Sequence, residues 1–212
     1  MDPIASPLSA NTLSGLAPMV NNVAIRLGLL PFQGGEIRLE DDYGVIAQRL
    51  VQVITGTLAR GWWFNTKYRV KLTVDDYSEI DEGYTLPYLV ISSALPRFGE
   101  GDQPSHITTV ANATRDATIL KVLDKNWNVE KPFEVDLITS PIGQDYDQLP
   151  SQFAEYVVSK TAEEISPYFG AAVNPNETDR TWHELLRANA DARPTDNMID
   201  DNPINWMTTR RR

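Results

Sequence analysis

The stretch from Arg60 to Val74, R-G-W-W-F-N-T-K-Y-R-V-K-L-T-V, constrains the fold more than any other part of the chain. Before it, apolar residues recur at helical spacing. After it, Tyr68, Val70, Leu72 and Val74 alternate with Lys67, Arg69, Lys71 and Thr73. The hydrophobic period drops from about 3.6 to about 2 residues within about ten positions. A chain that does this passes from a helical layer to a sheet. Gly61 stops the helix and three large aromatics follow it. Such rings can each bury about 150–250 Å². Arg60, Gly61, Trp62, Trp63, Phe64 and Asn65 are therefore expected to form a structural corner, packed between two layers, rather than a chemical site.

Upstream of the corner the pattern predicts two helices. The first starts at about Asn11 or Ser14 and reaches Leu29, with Leu16, Met19 or Val20, Val23, Leu27 and Leu30 as its stripe. Pro18 is expected near its first turn, where a missing N–H is tolerated. Gly28 and Pro31 end it, and Gly34-Gly35 turns the next loop. The second helix starts near Glu40-Asp41-Asp42, acids suited to the positive end of a helix dipole. Tyr43, Ile46, Ala47, Leu50, Val51, Ile54 and Leu58 form its buried face. The short connection suggests that the two helices pack antiparallel.

Downstream, strand signals run from Lys67 to about Asp136. Tyr68–Val74, Tyr84–Ser92, His106–Ala111, Ala117–Leu123 and Phe133–Ile138 read as about five strands of one antiparallel sheet. Pro87 marks an edge or a bulge in the second. D-D-Y-S-E-I-D-E-G reads as a long acidic turn, R-F-G-E-G-D-Q-P-S as a loop, and D-K-N-W-N at 124–128 as a hairpin turn. A third helix follows Pro150, with Phe153, Val157, Thr161 and Ile165 on one face, and closes at Pro167 and Gly170. A fourth begins near Asn176–Thr178, carries Trp182, Leu185, Leu186 and Asn189, and ends at Arg193-Pro194.

The expected fold class is α+β: an antiparallel bundle of about four helices, an inserted antiparallel β-sheet domain, and an extended C-terminal tail. The expected boundaries are an N-terminal arm at 1–10, a helical domain from 11–62 and 146–193, the β domain at 63–145, and the tail at 194–212. That tail holds Met198, Ile199, Ile204, Trp206 and Met207 and ends in Arg210, Arg211 and Arg212. A solvated tail does not usually spend a tryptophan. Docking on a partner, packing on its own subunit and disorder are the three readings open to it.

The catalytic census is nearly empty, and no catalytic, cofactor-binding or metal-ligating residue is assigned. The absence of cysteine removes disulfides, thiolate metal sites and cysteine nucleophiles together. His183-Glu184 opens like a zinc-protease helix but lacks the second histidine, and His106 is remote in sequence. Gly99-Glu100-Gly101 lacks the rest of a dinucleotide loop. The acidic pairs Asp41/Asp42, Asp75/Asp76, Asp81/Glu82, Asp145/Asp147 and Asp200/Asp201 lie in turns and at helix starts, where carboxylates are usually solvated. A glycosidase pair or a calcium ion at 75–82 are the sharper alternatives. Net charge is −10, the reverse of a free-standing nucleic-acid binder. M-D-P-I-A-S-P-L-S-A does not read as a signal peptide, and no apolar run is long enough for a membrane span.

Four features together resemble one family. They are Gly28-Leu29-Leu30-Pro31-Phe32, Arg60-Gly61-Trp62-Trp63-Phe64-Asn65, Asp145-Tyr146-Asp147-Gln148-Leu149-Pro150 and Tyr168-Phe169-Gly170-Ala171. Their order and spacing, over about residues 15–190, are similar to the tail tubular protein A, or head-to-tail adaptor, of short-tailed T7-like bacteriophages. The resemblance implies a structural virion protein and no enzyme. It implies a homo-oligomeric, dodecameric ring between the portal protein and the tail nozzle protein (tubular protein B type), lining the channel for DNA ejection. The expected partners are those two proteins, double-stranded DNA that passes without sequence-specific binding, and a tail fibre as a further neighbour; no membrane is involved. The expected location is the virion tail, after assembly in the host cytoplasm. Ile204, Trp206, Met207, Arg210, Arg211 and Arg212 are the candidate portal contacts. A tail-associated polysaccharide or peptidoglycan hydrolase and a monomeric binding module are the alternatives.

Overall fold

The computed structural model describes residues 10–32, 41–87, 89–95, 103–111, 117–140, 146 and 149–192, with side chains from residue 15 onward. Residues 1–9 of the expected arm, the Gly34-Gly35 turn, Glu40, residues 96–102, Asp145, Asp147, Arg193 and the tail at 194–212 lie outside the described residues, and Ala10, the last residue of that arm, opens a helix instead. The chain divides into two compact units, one helical and one running from Leu58 to Ile142. Among the described residues there are four α-helices and seven strands, an α+β fold with antiparallel sheets.

In the helical unit, α1 (Ala10–Arg26) buries Leu16, Met19, Val20, Val23, Ala24 and, just past its end, Leu27. Its start at Ala10 places Pro18 two turns inside the helix, not near the first turn. Pro18 is exposed, so its ring adds no crowding to the buried face. The helix stops short of Leu29 because the chain turns back at Gly28, where the Leu29 N–H donates to the Ala24 carbonyl at 2.9 Å. The connection to α2 (Asp42–Leu58) is stapled locally. Asn21 accepts from the Phe32 N–H at 2.6 Å, and the Tyr43 hydroxyl donates to the Leu30 carbonyl at 2.7 Å. Asp41 accepts from the Gly44 N–H at 2.8 Å, an N-cap bond that sets where α2 begins. Ile46, Ala47, Leu50, Ile54 and Leu58 are fully buried as the periodicity requires.

α3 (Ser151–Phe169) is the central helix of the unit, packed on both α1 and α4 (Pro175–Asp191). Phe153, Val157, Thr161 and Ile165 are all buried, joined by Val158 and Ala162. Tyr168, by contrast, stands 71% exposed at the end of α3. Arg26 at the end of α1 ties three helices together. Its guanidinium donates to the Ser159 hydroxyl at 2.8 Å and pairs with Glu155 of α3 and, at 2.9 Å, with Glu177 of α4. Arg49 of α2 reaches Glu164 of α3 at 2.8 Å. The inward face of α4 matches the expected stripe only in part. Thr178, Thr181, Leu185 and Asn189 are buried, while Trp182 and Leu186 are only half-buried. The Trp182 ring meets Tyr156 at 4.9 Å.

The other unit contains two sheets rather than the single five-stranded one expected. One has the order β1 (Thr66–Leu72), β7 (Phe133–Thr139), β4 (Val90–Ala94). The other has the order β2 (Tyr77–Ser78), β3 (Gly83–Leu86), β6 (Thr118–Val122), β5 (Ile107–Ala111). The predicted strand Tyr84–Ser92 is split at Pro87, whose missing N–H cannot continue a ladder, and its halves enter different sheets. The acidic turn contains the short β2, which pairs with β3. Residues 124–128 form no hairpin: β6 pairs with β3 and β5, β7 with β1 and β4, and this segment carries the chain between sheets.

The two sheets share one core. Leu72, Phe133, Val135 and Leu137 from the first meet Tyr84, Leu86 and Leu120 from the second. Tyr84 is its aromatic centre, edge-on to Tyr77 at 5.3 Å and to Phe133 at 5.1 Å. The Trp127 indole N–H donates to its hydroxyl at 3.2 Å. Each such side chain contributes about 1.5–3 kcal/mol through burial. In β1 the pairing slips between Lys67 and Val70, leaving a bulge with Arg69 at φ 50°. The stranded Arg69 N–H donates to the Asp136 carboxylate at 2.8 Å.

The packing sets two expectations. A Cβ at Gly83 would lie 2.6 Å from Ile119 Cγ2 and 2.9 Å from the Leu120 carbonyl. Gly83→Ala should therefore destabilise the fold by about 1–3 kcal/mol, read from urea unfolding; an unchanged midpoint would contradict this packing. Burial raises the phenol pKa of Tyr84 and of Tyr146 above the ordinary 10.0. With the folded values raised, their stability contribution is complete below about pH 10 and is lost as pH climbs through the folded values. Melting temperature should hold to about pH 10 and fall above it, and Tyr146→Phe should lessen the fall.

Candidate functional site

The corner is built around the Asn65 side chain, which is 4% exposed. α2 ends at Leu58, and the Gly61 N–H donates to the Leu58 carbonyl at 3.0 Å. Gly61 then takes φ 74°, a left-handed conformation that favours glycine. A Cβ there would also stand 3.1 Å from both Ile138 Cδ1 and Thr66 Oγ1. Trp62, Trp63 and Phe64 follow in a tight turn closed by the Asn65 and Thr66 N–H groups, which donate to the Trp62 carbonyl at 3.1 and 2.9 Å.

Inside this turn the Asn65 amide meets three backbone groups. Its Oδ1 accepts from the Trp62 N–H at 2.7 Å. Its Nδ2 donates to the Leu58 carbonyl and to the Thr139 carbonyl, both at 3.1 Å. The main chain adds two bonds: the Asn65 carbonyl accepts from the Thr139 N–H at 2.8 Å and the Thr139 hydroxyl at 3.1 Å. The helix end, the turn and the last residue of β7 are thus joined through one buried side chain. The amide orientation follows from its partners, since only N–H can face two carbonyls.

Of the corner residues, Gly61, Trp62 and Asn65 are buried, Trp63 and Phe64 half-buried, and Arg60 exposed. Trp62 is 2% exposed, and the Trp63 and Phe64 rings meet edge to face at 5.1 Å. The sequence pattern drew attention to the rings and missed the amide as the hub, along with its partner Thr139. The available signal was the spacing. A polar Asn three residues after Trp62 can close a turn on that residue's backbone N–H.

The sites with sharper chemistry are not brought together. His106 is exposed and pairs only weakly with Asp124, its Nδ1 3.4 Å from the carboxylate. The Ser105 backbone N–H, the principal cause, holds the Asp124 carboxyl below its ordinary pKa. His183 is exposed on α4. In the acidic turn, Asp76 accepts from the Thr73 N–H at 2.9 Å and Asp81 from the Ser78 hydroxyl at 2.9 Å, so both carboxylates serve the turn itself. Among the described residues no three of His, Asp and Glu converge as metal ligands. Among the described residues no helix is long and apolar enough to cross a membrane. Tyr146, 5% exposed, packs by Gly15 of α1, where a Cβ would stand 3.5 Å from its ring. The Ile204, Trp206, Met207 and Arg210–Arg212 cluster lies outside the described residues.

The described geometry brings together a buried corner and a packed core, and no convergent acid–base or metal constellation. The tail tubular protein family model matches residues 20–195, and the chain belongs to that family. It is a structural component of the bacteriophage tail and so of the virion. A comparison with curated proteins finds no match.

Asn65→Ala removes the side-chain partner of the Trp62 N–H and a donor to the Leu58 and Thr139 carbonyls, the former keeping the Gly61 N–H, and should cost about 2–4 kcal/mol of stability. Asn65→Asp should cost at least as much, because a carboxylate would face two carbonyl oxygens. Calorimetry of both variants checks this. A loss under about 0.5 kcal/mol in either would mean that the amide is not the hub.

Proposed function

We propose that this chain is the head-to-tail adaptor of its virion. Twelve copies close into a ring that joins the portal protein above to the nozzle protein below and lines the path of the leaving DNA. The observation that carries this reading is the family match over residues 20–195. The charge supports it. Twelve copies at −10 give a wall of about −120, which repels phosphate and lets the duplex pass without binding. The corner then has a mechanical role, holding backbone direction where the helical and strand segments meet. The tail, with Trp206 as aromatic anchor and Arg210, Arg211 and Arg212 as basic end, is the proposed portal contact.

The test is electron microscopy of DNA-filled, portal-bearing heads mixed with the purified protein. The expected image is a twelve-fold collar beneath the portal. A bare vertex with folded, monomeric protein in solution would overturn the adaptor reading. Deleting residues 195–212 should leave the melting temperature within a few degrees of the full chain while collars vanish from the vertex. Collars that form normally without the tail would remove it as the portal contact.

A further inference from the structure

A closed ring joins one surface of each subunit to a different surface of the next. The β unit carries two exposed surfaces of opposite sign that suit this requirement. The inference drawn from them rests on the ring reading above.

The first surface is the outer face of edge strand β1. Val70 and Leu72 turn toward the core shared by the two sheets. Lys67, Arg69 and Lys71 are all exposed, and Lys71, across from Glu134 in register, takes the face opposite to Val70 and Leu72. They lie within five residues of one edge strand. In a chain of net charge −10, such a stripe is conspicuous. Glu134 lies across from Lys71 in register, but its Oε2 is buried without a hydrogen-bond partner. Asp136 gives its Oδ1 to the Arg69 backbone N–H. Among the described residues, neither the Arg69 guanidinium nor the Lys71 ammonium has an ion-pair partner. The bulge also places Arg69 at φ 50°, a conformation that costs about 1–2 kcal/mol in a non-glycine residue.

The second surface is the β2–β3 hairpin, which belongs to the other sheet. Asp76 and Asp81 fold back onto the turn, whereas Asp75, Glu79 and Glu82 are exposed without ion-pair partners among the described residues. At its tip Ile80 is 95% exposed, an apolar side chain ringed by acids. Charged edge strands commonly serve only to block edge-to-edge pairing. That role accounts for the stripe but not for the apolar, acid-ringed tip.

We infer that the β1 stripe of one copy receives the β2–β3 hairpin tip of the next copy. Arg69 and Lys71 would meet Asp75, Glu79 and Glu82, and Ile80 would seat against the aliphatic stems of the basic side chains. The partner is a second copy of this chain, because the complementary sign and the apolar anchor are both carried by its own hairpin.

Charge reversal tests the pairing, with association followed by sedimentation over a concentration series. Arg69→Glu with Lys71→Glu should weaken self-association by about tenfold or more, since like charges then face each other. Asp75→Lys with Glu79→Lys should do the same. The four changes together should restore association to within about threefold of the wild type. A stripe that only blocks edge pairing would leave association unmoved by reversal to glutamate. Because the chain has no cysteine, a second measurement is clean: Lys71→Cys and Glu79→Cys in one chain should oxidise to a ladder of multimers. Wild type that associates, with reversal having no effect and no ladder forming, overturns this pairing and leaves the ring reading intact. Loss on reversal without rescue, and without a ladder, overturns the hairpin as the stripe's partner. Wild type that stays monomeric in solution and at the portal vertex removes both.

Discussion

The Asn65 amide is the constraint on which the rest of this structure leans. A helix end leaves carbonyls without partners, and a tight turn leaves an N–H buried. Here one side chain answers both, accepting from Trp62 and donating to Leu58 and Thr139. The same residue's backbone holds Thr139 from the other side. Sequence neighbours and a residue 74 positions away are thereby fixed in one place. Once Thr139 is held, the register of β7 against β1 is fixed too, and with it the side chains that enter the β core.

Around that point the two units use different means of cohesion. The β unit relies on an aromatic cluster, Tyr77, Tyr84, Phe133 and Trp127, in edge-to-face contacts at 5.1–5.5 Å. The helical unit combines an apolar seam on α1, α2 and α3 with a polar one on α4, and Arg26 bridges α1, α3 and α4. Partly exposed ion pairs of this kind contribute modestly, on the order of 1 kcal/mol or less. Their value here lies in fixing which helices are neighbours.

The helices were largely legible in the sequence because their signal is local and redundant. In α2, Ile46, Ala47, Leu50, Ile54 and Leu58 all fall where a 3.6-residue period places them, and all are buried. α4 was less legible: Leu185 and Asn189 are buried as read, but Thr178 and Thr181, which do not register in an apolar pattern, are buried as well. The strands were found, with the exception of β2, which has only two residues and hides in an acidic turn. Their partnerships were not. Pro87 signalled an interruption, yet only the assembled sheets show that the chain changes sheet there.

By itself the sequence determined the class of the fold, the place where helix gives way to strand, the family resemblance, and the absence of cysteine. These are properties of spacing and composition, which the chain carries wherever it goes. The tertiary structure decided the division into two sheets, the outward stance of the β1 cations, and the turning of the Asn65 amide inward as a hub rather than outward to water. Each depends on residues far apart in the chain meeting across a core. A pairing between Asn65 and Thr139 leaves no period to read, because hydrogen bonds across such distances are chosen by packing and not by sequence order.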